Sequence, residues 1–65
     1  MNRDVHVLVD TLAAAEAVNR PPGTIRRWAH EGLITARGRD RRGRTLYALA
    51  DVYRAERARR EVITR

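Results

Sequence analysis

Two consecutive prolines, Pro21 and Pro22, constrain this chain more than any other feature. A proline lacks a backbone N–H and its ring clashes with the preceding helical turn, so no regular helix runs through the pair. Pro22 suits the first turn of a new helix, and Pro21 restricts Arg20 to extended geometry. One helix must therefore end before the pair, and another begins within it. Upstream, Leu12 to Val18 is rich in alanine, the strongest helix former. Asp10 or Thr11 offers a capping oxygen at its start. Asn19 tolerates the left-handed conformation that closes a helix. Downstream, from Pro22 to about Glu31, Ile25, Trp28 and Ala29 recur at i, i+3 and i+4, which defines one apolar face, and Gly32 ends the segment. At about 100° per residue the opposite face presents Gly23, Arg27 and His30, flanked by Arg26, Thr24 and Glu31. The expectation is two short helices joined by a tight turn. Ala15 is small enough for the second helix to approach, and Ile25 fills the angle between them beside Trp28.

Beyond Gly32 the pattern changes. Leu33 to about Arg37 reads as a strand, Gly38 to Gly43 as a polar loop bounded by glycine, and Arg44 to Leu49 as a returning strand, which together make a hairpin. Ala50 to about Arg60 reads as a last helix, with Asp51 in its first turn and Arg57, Arg59 and Arg60 in its last, as the helix dipole favours. At the start, Val5 to Val9 suggests a short strand that includes His6. Near the end, Val62 and Ile63 form either a frayed tail or a small self-association patch. The fold class is α+β, mostly α: a helix-turn-helix, a two-stranded hairpin wing and a C-terminal helix in one domain over residues 1–65, with its core at about 9–60. The core is thin, because a chain of 65 residues buries only about 60% of the surface its unfolded form exposes. There is no cysteine to staple it by disulfide or zinc.

The charge has a fixed address. The net +6 is carried between Arg20 and Arg44, where Arg20, Arg26, Arg27, Arg37, Arg39, Arg41, Arg42 and Arg44 meet only Glu31 and Asp40. Elsewhere arginines and carboxylates cancel. Every cation is arginine, which fits a GC-rich genome and also the suitability of planar guanidinium forks for phosphate and guanine edges, so clustering rather than residue type is the informative observation. A concentrated positive face on a small fold meets a polyanion, since neutralising phosphates releases condensed counterions.

Specific stretches sharpen the reading. The run Thr24-Ile25-Arg26-Arg27-Trp28-Ala29-His30-Glu31-Gly32-Leu33-Ile34, then Arg42-Gly43-Arg44-Thr45-Leu46-Tyr47 and Asp51-Val52, resembles the winged helix-turn-helix of the MerR superfamily. It is most similar to the minimal BldC-like regulators and phage excisionases, over roughly residues 9 to 58. Two positions depart: Arg20 stands where that family commonly buries a valine, and Pro21 where a capping serine is common. The resemblance implies that the second helix enters the major groove of double-stranded DNA while the wing grips backbone or minor groove. Thr24, Arg26, Arg27, His30 and the wing residues Arg37, Arg39, Arg41, Arg42 and Arg44 would then touch DNA. Tyr47 would either pack at the wing base or donate its hydroxyl to a phosphate. Larger relatives carry a coiled coil and an effector-binding region beyond this point, so no small-molecule effector is expected.

Several classes are disfavoured. With no serine or cysteine and only His6 and His30 as histidines, a nucleophile with a positioned base cannot be assembled, and neither an enzyme nor a cofactor is expected. No apolar run approaches the roughly 20 residues of a membrane span, and a cytoplasmic protein is expected. The hairpin lacks the exposed aromatics on which single-stranded RNA bases stack. A transcriptional regulator is the first reading. An excisionase, or a protein-interaction adaptor built on the same fold, is the alternative. A module this small reads few base pairs, so copies are expected side by side on DNA.

Overall fold

The computed structural model describes the backbone of residues 7–64 and side chains through Arg59. Its elements run β1 (Leu8–Val9), α1 (Thr11–Val18), α2 (Pro22–His30), β2 (Ala36–Arg39), β3 (Thr45–Ala48) and α3 (Leu49–Thr64). The strand expected at Val5 to Val9 is present only as β1; Val5 and His6 lie outside the described residues, as do the side chains of Val62 and Ile63.

Local chemistry fixes the two-helix unit. Asp10 caps α1 by accepting the Ala13 N–H at 2.8 Å. At the other end Asn19 adopts φ 55 and ψ 48. There the Asn19 N–H donates to the Glu16 carbonyl at 3.2 Å and the Arg20 N–H to the Ala15 carbonyl at 3.0 Å. These crossed bonds are a Schellman closure, which satisfies carbonyls the helix leaves free. Pro21 is extended and makes no side-chain cap; its carbonyl accepts the Thr24 N–H at 3.0 Å as α2 starts. The same closure ends α2, with Gly32 at φ 83, its N–H on Ala29 and the Leu33 N–H on Trp28 at 2.8 Å.

That second closure corrects the hairpin boundaries. Leu33 is bonded back to the helix and Ile34 is buried in the core, so the strand expected from Leu33 begins only at Ala36. It then runs through Gly38 to Arg39, leaving the loop to residues 40–44. The loop is organised by Asp40. Its carbonyl accepts the Gly43 N–H at 3.0 Å, and its Oδ1 accepts the N–H groups of Arg42 and Arg44, both at 2.9 Å. Aspartate at the first position and glycine at the fourth is the signature of a type I turn. The sheet also has three strands rather than two, in the order β1-β3-β2 and antiparallel throughout. β1 pairs Leu8 with Ala48 and Val9 with Tyr47, and the wing is thereby tied to the body. The ladder between β2 and β3 is interrupted between Ala36 and Gly38, which leaves Arg37 as the extra residue of a bulge.

α3 starts at Leu49 and continues to Thr64, four residues beyond the expected end, because no glycine or proline interrupts residues 60–64. Arg57 and Arg59 therefore lie within the helix and not in its last turn, which holds no basic residue. The core comprises Ala14, Ala15, Ile25, Trp28, Ile34, Tyr47, Val52 and Ala55. α1 is its hub, in contact with α2, α3 and the sheet. No described helix is long and apolar enough to cross a membrane.

Asn19 is exposed, so substitutions there report backbone conformation rather than packing. Asn19→Val should lower stability by about 1 kcal/mol, since a β-branched residue resists the left-handed region, whereas Asn19→Gly should stay within roughly 0.5 kcal/mol of the parent. Urea titration measures both; equal midpoints for valine and glycine would mean that the turn does not depend on this conformation.

Candidate nucleic-acid interface

The face of α2 opposite Ile25 and Trp28 is open. Gly23, Arg26, Arg27, His30 and Glu31 are exposed, and Thr24 is half-buried. Neither Arg26 nor Arg27 makes an ion pair among the described residues, and the pairing of Arg27 with Glu31 that helical spacing permits does not form. Both guanidiniums are left in solvent with full charge.

The wing arginines divide into two sets. Arg41 and Arg42 occupy the central positions of the turn built on Asp40, exposed and without an acid partner among the described residues. Arg39 donates to the Gly43 carbonyl at 3.2 Å, a contact within the loop that leaves its charge uncompensated. Arg37 and Arg44 are different. Arg37 meets Asp51 at 3.0 Å and Arg44 meets Asp10 at 3.3 Å. Asp51 is buried in the first turn of α3 and also lies 3.6 Å from Arg54. The residues of these wing-to-body pairs are 14 and 34 positions apart, so no local spacing signals them. Tyr47 packs in the core at 6% exposure, and of the two roles considered for it, the structure holds the packing one.

Helix and wing border the same depression. A groove of about 280 Å³ is lined by Asp10, Thr11 and Leu12 at the start of α1, by Arg26 of α2, and by Arg44 and Thr45 of the wing stem. A larger groove of about 590 Å³ runs along α1 and the turn, lined in part by Leu12, Ala15, Glu16, Pro21 and Pro22. Its single arginine, Arg20, is paired with the buried Glu56 at 3.2 Å. Size therefore does not mark the basic surface; the distribution of uncompensated guanidinium does. The Arg20 pair also accounts for that residue's departure from an apolar side chain, since it ties the turn to α3 electrostatically.

Among known proteins, a family model described as MerR HTH family regulatory protein matches residues 12–60, from the first turn of α1 into the second half of α3. No curated protein and no solved structure matches the chain significantly.

Asp10 joins cap and wing, and its ionisation reports on both. The Ala13 N–H, and after it the Arg44 guanidinium, hold its carboxyl below the ordinary aspartate range. The unfolded chain takes up that proton first as pH falls, so the contribution of Asp10 is present at neutral pH and is lost below about pH 4. Asp10→Asn keeps a capping oxygen but cannot titrate. Its urea midpoint should decline less than the parent's between about pH 4 and pH 2; superimposable pH profiles would contradict the assignment.

Proposed function

The chain belongs to the MerR HTH family of regulatory proteins, and from that premise we propose that it binds double-stranded DNA sequence-specifically as a transcriptional regulator. The observation that carries the reading is the exposed pair Arg26 and Arg27 on the face of α2 opposite the core, neither with an acid partner among the described residues, of which Arg26 lines the same groove as Arg44 and Thr45 of the wing. A helix of this diameter fits the major groove, where a planar guanidinium pairs bidentately with guanine O6 and N7. Thr24, Arg26, Arg27 and His30 are the residues proposed to meet base edges and nearby phosphates. Arg41 and Arg42 on the Asp40 turn, with Arg39 at the end of β2 beside it, are proposed to meet phosphates or a narrow minor groove, where negative potential is strongest. The turn supports this use because three hydrogen bonds to Asp40 fix its shape before any partner arrives.

An excisionase would use the same contacts, and the family's description as regulatory favours the regulator. One copy covers few base pairs, so neighbouring copies are proposed to fill an extended site, lengthening the footprint as concentration rises. No small-molecule effector is part of the proposal.

The division of labour is testable with a duplex enriched from a random pool and with a scrambled duplex. Arg27→Ala should cost about 1–3 kcal/mol on the enriched site and far less on the scrambled one. Arg41→Ala should weaken both equally and make the slope of log K against log salt shallower by about 0.9. Equal losses on both duplexes for both variants would remove the assignment of base reading to α2.

A further inference from the structure

Counting arginines treats every wing guanidinium as available to DNA, and the structure does not. Arg37, in β2, and Arg44, the last loop residue before β3, flank the Asp40 turn at the stem of the hairpin, and each is held by a carboxylate of the body. Asp51 comes from the first turn of α3 and Asp10 from the cap of α1. The stem is thus gripped from two directions by residues outside the wing.

The backbone is arranged for one of these grips. Arg37 is the extra residue of the β2 bulge, followed by Gly38 at φ 152. A bulge interrupts the alternation of side chains along a strand and re-aims the extra one. In a regular strand Arg37 and Arg39 point to the same face. Here the first reaches Asp51 while the second stays with the loop. The Asp51 side chain is only 12% exposed and lies between two arginines, Arg37 and Arg54. Moving Arg37 onto a phosphate would strip a cation from a buried carboxylate, an unfavourable exchange in a medium of low dielectric. At the other grip, the Asp10 carboxylate lines the same groove as Arg26 and Arg44 and holds the Arg44 guanidinium, so an anion entering there meets a negative charge.

We infer that Arg37 and Arg44, with Asp51 and Asp10, are positioning residues that aim the wing, and that neither arginine is a phosphate contact. The phosphate-neutralising work of the wing falls to Arg39, Arg41 and Arg42 at the tip. A wing held by its stem meets a duplex in one orientation relative to α2, so little ordering remains to be done on binding. This inference rests on the DNA-binding reading above and goes beyond it, because it removes two cations from the set that displaces counterions.

The experiment measures duplex affinity from about 50 to 300 mM salt for the unaltered chain, Arg37→Gln, Arg44→Gln and Arg41→Gln. Arg37 and Arg44 are about half exposed, at 51% and 48%, so glutamine is accommodated at both. Arg41→Gln should make the slope shallower by about 0.9. Arg37→Gln and Arg44→Gln should keep the parent slope while lowering affinity by a constant factor, roughly two- to tenfold, at every salt concentration. In the free Arg37→Gln protein, backbone order parameters of Gly38–Gly43 should fall on the picosecond to nanosecond timescale, a readout that loss of a phosphate contact would not move. A slope for either stem variant as shallow as that of Arg41→Gln would overturn the inference while leaving DNA binding intact. Absence of salt-dependent binding by the unaltered chain would overturn the DNA-binding reading, and this inference with it.

Discussion

Burial of Ile25 and Trp28 against α1 is the interaction on which the rest of the molecule depends. These two side chains are among the largest that are fully buried, in a core otherwise made of alanines, Ile34, Val52 and Tyr47. Removing the indole would cost about 3–5 kcal/mol, comparable with the whole stability of a domain this small. The same packing determines which face of α2 is presented. With about 100° between successive residues, seating positions 25 and 28 in the core turns Arg26, Arg27 and His30 outward. Folding and display of the basic face are therefore one event, and no separate device is needed to hold these side chains toward a partner.

Electrostatics then sorts the remaining arginines. The segment from Arg20 to Arg44 carries the net charge, but the fold supplies carboxylates from outside it: Glu56 for Arg20, Asp51 for Arg37 and Asp10 for Arg44. Each tie joins the turn or the wing to a helix or its cap. The exposed tie at Asp10 contributes little to stability by itself, since solvent screens a surface pair and holding two side chains in place costs entropy. Its effect is directional, because it fixes where the hairpin lies without consuming core volume that a short chain lacks. Within that segment, the arginines with no such tie lie on the outer face of α2 and around the Asp40 turn of the wing.

The helix-turn-helix half was legible in the sequence because its determinants are local. A proline pair, an asparagine that accepts φ 55, and a three-four apolar repeat act within a few residues of where they are written. The wing loop was legible only as a polar stretch bounded by Gly38 and Gly43; that Asp40 organises it emerged from the hydrogen bonds it accepts, although its signal, aspartate three positions before glycine, is equally local. What escaped depends on distant partners or on competition. Leu33 has the composition of a strand residue, yet its N–H is claimed by the closure of α2, which delays β2 to Ala36. β1 acquires its meaning only by pairing with β3, almost forty residues later. The bulge at Arg37 and the carboxylates facing the wing stem arise from register and packing, which charge counting along the chain does not see. Tyr47 was ambiguous for the same reason: a strand residue at a wing base points either inward or outward, and three-stranded pairing turns it into the core.

Backbone amide chemical shifts, recorded by NMR while a duplex is titrated in, test most directly whether helix and wing form one DNA-facing surface. Perturbations should concentrate in Gly23 to Glu31 and in Arg39 to Gly43, saturating together at the same duplex ratio, with the exposed face of α3 around Tyr53 and Arg57 unmoved. Shifts centred on α3 or on the groove along Leu12, Glu16 and Asn19, or two sets that saturate at different ratios, would contradict it.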